Sequence, residues 1–315
     1  MKVIIFSSQA ISHILIIAAS LLISSCSLQK ITVDQTAEVM LAGSRNFEAE
    51  SDLAIAEASA PSNLKFIEGL LESSPNNRTL LYIAAKFYTN YSFAFIEPRL
   101  VGKANAYDDD YLKTQEQAKR YYLRGRDYAL RWMATRRPEL ADLLKKEDDS
   151  QWKSKLPELL NQLDEKDLPS LYWIAQSWGS AININLADID AIFHLPKVEM
   201  LMTRVLELDP DYEYGGAHLF FGVLIAKLGE QLGSGPELAK AHFEKADKVT
   251  DNKYLMSQFL YARYYCVTIQ DRECYTSTLN KVISSDINGL PEQRLANVLA
   301  VEWSGQWLEF VDELF

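Results

Sequence analysis

The sequence predicts an all-α protein, built as a TPR-like array of stacked helical hairpins with a capping helix at its C-terminus. Apolar residues recur at helical spacing through most of the 315 residues, and prolines and glycines divide these stretches into segments of hairpin length. No segment shows a convincing run of alternating strand residues. Because one hairpin cannot bury its apolar face alone, we expect neighbouring hairpins to stack on one another.

The chain begins with a segment typical of a secretory signal, residues 1–25, in which Lys2 precedes a long apolar run. Ile-Ser-Ser-Cys at 23–26 resembles a bacterial lipobox, which predicts that Cys26 carries lipid and becomes the first mature residue. A membrane span is the alternative interpretation, but the run lacks a charged stop-transfer flank. Ser27 after the cysteine favours the outer membrane over the inner one.

The signal is followed by a lipidated cysteine and polar tether, residues 26–36, and then by one helical domain, residues 37–315. The formal net charge is −11 at pH 7, and loss of Lys2 with the signal makes it one unit more negative. Nucleic-acid binding needs clustered lysine and arginine, so an acidic chain of this kind is not expected to bind nucleic acid. Its contact with the membrane is expected through the anchor only.

The first helices of the domain are predicted at 37–44 and 47–58, where Ala, Leu and Ile recur at helical spacing. Pro61 is expected to open the next helix, which would end at Pro75, because proline suits a first helical turn and cannot continue a helix. Residues 78–96 are apolar on most sides, which predicts a central buried helix.

A long helix at 111–135 gathers arginines in an otherwise acidic chain, with Arg120, Arg124 and Arg131 near one face. One interpretation is an arginine offered to a carboxylate ligand, since a guanidinium binds carboxylates in a bidentate manner. The other is a solvated face paired with neighbouring acids. The stretch 138–163, interrupted by Pro157, is expected to form small linking helices.

Residues 168–185 predict an apolar helix that contains Trp173 and Trp178. An indole offers apolar area and one hydrogen-bond donor, so these two side chains are candidates to line a ligand cavity. Core packing is the alternative role. A short helix at 188–195 is expected to lead into the stretch 198–249.

The stretch 198–249 predicts the end of one helical hairpin and a complete second one. Its first helix closes at Pro210, and the next begins near Gly215. The second helix of the hairpin carries small, large and small residues at intervals of four and three, namely Ala239, Phe243 and Ala246. This spacing is typical of tetratricopeptide-type hairpins, although the first helix is too long and the break carries extra residues, so we describe the array as TPR-like.

A further hairpin is predicted from 254–267 and 274–284, and residues 293–315 form the capping helix. Cys266 and Cys274 flank a turn signal between the two segments, so they are candidates for a disulfide across the hairpin. The alternative is two reduced, packed thiols.

Motifs of catalysis and metal binding are missing from the sequence. His194, His218 and His242 fit no HExxH or Cys/His spacing, and no nucleophile elbow, phosphate loop or dinucleotide fingerprint occurs. His218 precedes the apolar face of a helix, where it is a candidate to bind a ligand or a satisfied packing residue. We therefore predict a protein that is not an enzyme and that uses no metal and no cofactor.

Ordered blocks of the sequence from 47 to 315 resemble successive segments of the TRAP transporter T-component family. The blocks are LLYIAAKFYTNYSFAFIE, AKRYYLRGRDYALR, LYWIAQSWGSAI, LPKVEMLMTRVLELDPDYEYGGAHLFFG, AKAHFEKA, YARYY and QWLEFVDELF. The resemblance implies a lipoprotein with TPR-like hairpins that serves a tripartite ATP-independent periplasmic (TRAP) transporter. It further implies a TRAP-type periplasmic solute-binding protein as partner, a homo-oligomer, with the trimer favoured, and a cavity or channel in each subunit.

Six residues in the matching blocks are candidates for the cavity wall: Glu97, Arg124, Arg126, Trp173, Trp178 and His218. A small organic acid and an apolar solute both suit this set. A scaffold lipoprotein that assembles envelope proteins on a concave helical surface, without a small ligand, is the alternative function.

Overall fold

The computed structural model describes residues 30–101, 108–146, 152–231 and 233–315. These ranges are helical almost throughout and contain no strand, which confirms the predicted all-α helical array. No helix within them is long and apolar enough to cross a membrane. The predicted signal and the lipid-attachment residue Cys26 lie outside the described residues.

The first two helices differ from the sequence-based boundaries. Helix α1 covers residues 30–48 and begins inside the segment predicted as a tether. Val33 and Ala37 are buried on its inner face, so residues 30–36 are helical and pack with the rest of the helical body. Helix α2 covers Leu53–Ser73. Asp52 caps its N-terminus, because the Asp52 side chain accepts hydrogen bonds from the backbone N–H groups of Ala54 and Ile55.

Two prolines lie inside helices, although the sequence predicted a helix boundary at each of them. Pro61 lies within α2, and Pro157 lies within α6, Trp152–Asn161. Each proline lacks the N–H that would bond to the fourth preceding carbonyl. Neither side chain is buried, so water can reach the freed carbonyl and the helix continues.

Helices α3, α4 and α7 form the centre of the N-terminal part. Helix α3, Arg78–Tyr91, continues into a π-helical turn, Ser92–Ile96, and a 3₁₀ turn, Glu97–Leu100. Helix α4, Asp109–Ala134, packs between α3 and α7, Leu168–Asn183. Gly125 permits the close approach, since a Cβ atom there would lie 2.5 Å from the Thr89 hydroxyl oxygen.

Helices α5, Pro138–Lys145, and α6 link this centre to α8, Ile189–Ile192, and α9, Leu195–Leu208. Asp167, which is fully buried before α7, accepts hydrogen bonds from Arg136 Nε at 2.7 Å and from Arg137 Nε at 2.9 Å. These two arginines therefore hold the end of α4 against the start of α7.

The predicted central hairpin consists of α10, Tyr212–Leu228, and α11, Pro236–Val249. Ala239, Phe243 and Ala246 are all buried against α10 and its neighbours. Phe243 lies so close to Gly222 that a Cβ atom there would be 2.9 Å from its ring. The small-large-small spacing therefore identified the packing face of α11 correctly.

The C-terminal part contains α12, Leu255–Leu260, a π-helical turn, Tyr261–Cys266, then α13, Arg272–Ile283, α14, Arg294–Leu308, and α15, Val311–Leu314. Helix α14 covers α12 and α13 at the end of the array. In the structure Cys266 and Cys274 are joined by a disulfide, with their Cα atoms 5.6 Å apart.

The core consists of two large clusters of buried apolar residues. One belongs mainly to α3–α9 and includes Trp173, and the other belongs mainly to α10–α14 and includes Met256. A cavity lies where the two clusters meet, because its walls include side chains from both.

Candidate functional site

A cavity, called here the main cavity, lies among the described helices, with a volume of about 1260 Å³ that includes space open to solvent. Its walls come from α3, α7, α10 and α12. Most of the wall is apolar or aromatic, with charged groups confined to a few positions. Apolar and aromatic wall residues include Phe93, Tyr172, Trp173, Leu186, Leu195, Leu219, Phe220, Val223, Leu224, Met256, Leu260 and Tyr264.

Two further spaces adjoin the main cavity. A side chamber of about 660 Å³ shares Asn90, Phe93, Tyr254, Met256 and Gln293 with it. A vestibule of about 940 Å³, including open solvent, shares Glu97, Asn183, Lys227 and Tyr264 with it. The shared walls place the three spaces in a row, with the main cavity in the middle.

Both π-helical turns border the main cavity. The turn at Ser92–Ile96 carries Phe93 and is followed directly by Glu97, and the turn at Tyr261–Cys266 carries Tyr264. A π turn adds one residue to a helical turn and so changes which side chains face a given direction. This local change brings an aromatic and an acidic side chain to the wall of the cavity.

The inner end of the main cavity, beside the side chamber, contains a buried charge cluster of Lys86, Glu48 and Glu213. Lys86 Nζ lies 2.8 Å from Glu48 Oε1 and 3.3 Å from Glu213 Oε1. It also lies 5.7 Å from the ring centroid of Trp173. Desolvation acts to lower the pKa of Lys86, but the two carboxylates outweigh it and hold the pKa well above its usual value.

The backbone beside this cluster is strained. Glu213, Tyr214 and Gly215 all have left-handed backbone angles, with φ of 47°, 60° and 74°. A residue with a side chain in this region costs about 1–3 kcal/mol. The Lys86–Glu213 ion pair holds the first of them, and Tyr214 stacks on Tyr254 with ring centroids 5.5 Å apart. Desolvation raises the pKa of Glu213 despite the opposing effect of Lys86.

The outer end of the main cavity, at the vestibule, contains Lys227, Glu97 and Arg263. Lys227 Nζ donates to the Asn183 side-chain oxygen at 2.7 Å and lies 5.6 Å from the ring centroid of Tyr264. Burial, together with the nearby Arg263 charge, lowers the pKa of Lys227 to about 8. Solvent nevertheless reaches this side chain, because it stands in the wall of the vestibule.

Glu97 is held in place at the same end by neighbours of its own. The Tyr122 hydroxyl donates to Glu97 Oε2 at 2.7 Å, and an Arg263 guanidinium nitrogen lies 3.7 Å from Oε1. Glu97 and Trp173 are therefore the two sequence-predicted candidates that line the main cavity.

The two predicted arginines lie elsewhere. Arg124 forms an ion pair with Glu68, a carboxylate of α2, and lies 4.9 Å from the Tyr88 ring centroid. Arg126 lies over the Trp178 ring at 5.1 Å and pairs with Asp127. Neither arginine is among the residues that line the main cavity, and partners within the chain occupy both guanidinium groups.

The last two candidates, Trp178 and His218, pack inside the protein and away from the main cavity. Trp178 is buried against His194, with ring centroids 5.1 Å apart. His218 Nδ1 lies 3.0 Å from His242 Nδ1, and burial lowers the pKa of both imidazoles, that of His242 to about 4. Neither residue is among those that line the main cavity, and both pack against other side chains of the described residues.

Three charged residues of the site were absent from the sequence-based set. Lys86 is a single lysine in an apolar helix, which is a usable signal for a buried and paired charge. Glu213 and Lys227 carried no such signal, since acidic and basic residues are common near helix ends. Within the described ranges no group of three or more His, Cys, Asp and Glu side chains is placed to hold a metal ion.

The protein is an all-α array that encloses a mainly apolar cavity. This architecture is that of helical-hairpin proteins with a site inside the stack. The chain belongs to the TRAP transporter T-component family, whose sequence profile matches residues 49–315. The resemblance of the sequence blocks is thereby confirmed, and membership supports an accessory role in TRAP transport. The chain is also similar to an uncharacterized protein of Treponema pallidum (strain Nichols), with 24% identity over 269 residues, which cover 84% of this chain and 80% of that relative.

Proposed function

We propose that this chain is the extracytoplasmic accessory component of a TRAP transport system, where it binds a periplasmic solute-binding protein and receives a small solute in the main cavity. The observation that carries the proposal is the family match over residues 49–315. The row of adjoining spaces supports it, because the vestibule and the main cavity share wall residues and together form a site that is concave and partly open to solvent. The proposal also includes lipid attachment at Cys26, a location at the periplasmic face of the outer membrane and assembly as a homotrimer.

The character of the walls supports a small solute as the ligand. Sites for small molecules are concave and mostly apolar, with a few polar groups that fix orientation. The main cavity has this composition, with charged groups at its two ends and aromatic side chains such as Phe220 and Tyr172 between them.

Capture from an envelope extract of the native organism tests the proposal, with the full chain as bait and mass spectrometry as readout. Retention of a TRAP-type solute-binding protein supports it. Retention of only envelope-assembly or wall-modifying proteins would favour the scaffold function instead. Val223→Trp, which fills the main cavity from α10, is the matched variant: it should keep the captured partner and lose the solute.

A further inference from the structure

The charges along the main cavity are distributed unequally between its two ends. The inner cluster contains one cation, Lys86, and two carboxylates, Glu48 and Glu213. The outer end, counted with the vestibule, contains two cations, Lys227 and Arg263, and two carboxylates, Glu97 and Glu313, so its formal charges balance while those of the inner cluster are net negative. Eleven residues of α10 separate the two ends, from Gly216 to Lys227, which corresponds to about 16 Å of helix.

Lys227 is the cation at the outer end whose charge is still available. Glu97 is occupied by Tyr122 and Arg263. Lys227 Nζ donates to the side-chain oxygen and the backbone carbonyl oxygen of Asn183, at 2.7 and 3.4 Å. Among the described residues, no carboxylate oxygen lies within 4.0 Å of it. An ammonium group that contacts only neutral oxygens gains a charge-assisted hydrogen bond when an anion binds beside it.

We propose that the main cavity binds an amphiphile with a single anionic head, a monocarboxylate whose carboxylate contacts Lys227 and whose apolar body lies along Leu224, Phe220 and Leu219 toward Met256. This inference rests on the proposed function, because it names the solute class of the same cavity. Lys227 is then the residue that selects the head group, and α10 supplies one continuous apolar wall.

The inner end excludes a second anionic group. Lys86 is already surrounded by two carboxylates, so a further carboxylate there would meet net negative charge in a buried environment. A dicarboxylate of the same length is therefore rejected by the cavity. A neutral alcohol fits the apolar wall but gives Lys227 no anion.

Calorimetric titration of the full chain with decanoate, 1-decanol and decanedioate tests the inference. We expect decanoate to bind about tenfold more tightly than either of the other two probes, because one charge-assisted hydrogen bond is gained or one buried charge is avoided. Lys227→Met should remove the advantage of decanoate over 1-decanol, and Lys227→Arg should restore it. Lys248→Met, at an exposed lysine of α11, is the matched control and should leave all three affinities unchanged.

Decanoate affinity should also fall as the pH rises through about 8, where Lys227 loses its proton, while 1-decanol affinity stays constant. The inference is overturned if decanoate does not bind or if it binds no more tightly than 1-decanol. It is also overturned if folded Lys227→Met keeps the preference for decanoate over 1-decanol. Capture of a solute-binding protein by a chain that fails these titrations would leave the accessory role standing. The probe preference without any captured partner would refute the accessory role and retain the ligand class.

Discussion

Replacing Lys86 with methionine removes the cation of the inner charge cluster and leaves two carboxylates facing each other in the protein interior. Lys86 is 7% exposed, and its ammonium group contacts both Glu48 and Glu213. Removing one partner of a buried ion pair costs about 3–5 kcal/mol because the remaining charge stays buried without compensation. We expect Lys86→Met to lower the free energy of unfolding by this amount near neutral pH, as measured by urea unfolding with tryptophan fluorescence.

The loss should depend on pH in a defined direction. Burial raises the pKa of Glu213 in the folded protein, and removal of Lys86 raises it further. A carboxyl group with a raised folded-state pKa favours folding below its unfolded pKa of about 4.3, and this contribution disappears as the pH rises through the folded-state value. The loss of unfolding free energy caused by Lys86→Met should therefore be smallest near pH 5 and largest near pH 8.

Two comparisons make the test of Lys86 sharper. Lys86→Met/Glu213→Gln removes the second carboxylate and should recover much of the lost stability at high pH. Lys65→Met removes a lysine that is 72% exposed in its ion pair with Glu68, so it should cost at most about 1 kcal/mol. If Lys86→Met costs less than about 1 kcal/mol, or costs the same at pH 5 and pH 8, then Lys86, Glu48 and Glu213 do not form a buried charge cluster.

Two further predictions follow from contacts in the structure and a third from the lipobox-like sequence before Cys26. Asp167→Asn should cost about 3 kcal/mol in urea unfolding at neutral pH, because Arg136 and Arg137 lose the carboxylate that compensates their charges. Those partners outweigh desolvation and lower the pKa of Asp167, so the loss should shrink as the pH falls through the carboxyl range. Thiol titration of the unfolded, unreduced mature chain should find Cys266 and Cys274 unreactive. Cys26→Ala should abolish metabolic labelling with palmitate, and retained label would place the lipid elsewhere.

The helices could be predicted from the sequence because their apolar spacing is a local signal. The spacing of Ala239, Phe243 and Ala246 identified a packing face, since all three project from one side of α11. The π turns could not be predicted in this way. A π turn inserts one residue into a helix, and its stability depends on what the displaced side chains, such as Phe93 and Tyr264, meet in the folded chain.

The arginine-rich helix shows where reasoning from residue chemistry succeeds and where it stops. The two interpretations of Arg124 were a carboxylate ligand and a neighbouring acid of the chain, and in the structure its guanidinium group pairs with an acid of the chain. The carboxylate is Glu68 of the same chain, 56 residues earlier in the sequence. The partners of Lys86 are likewise distant, with Glu213 lying 127 residues away. Residue type predicts the kind of partner, but only the stacking of the helices decides which one is within reach.

Several irregular backbone segments among the described residues border the main cavity. Two π turns and the left-handed turn at 213–215 all contribute residues to its wall, whereas α4 and α11 are regular helices that pack closely through Gly125 and against Gly222. Strained or irregular backbone persists only where the surrounding packing fixes it. The buried ion pairs of Lys86 with Glu48 and Glu213 provide that fixation at the inner end. The same charge cluster therefore holds the strained turn in place and sets the negative end of the cavity, which links the stability of the fold to the kind of head group that the site accepts.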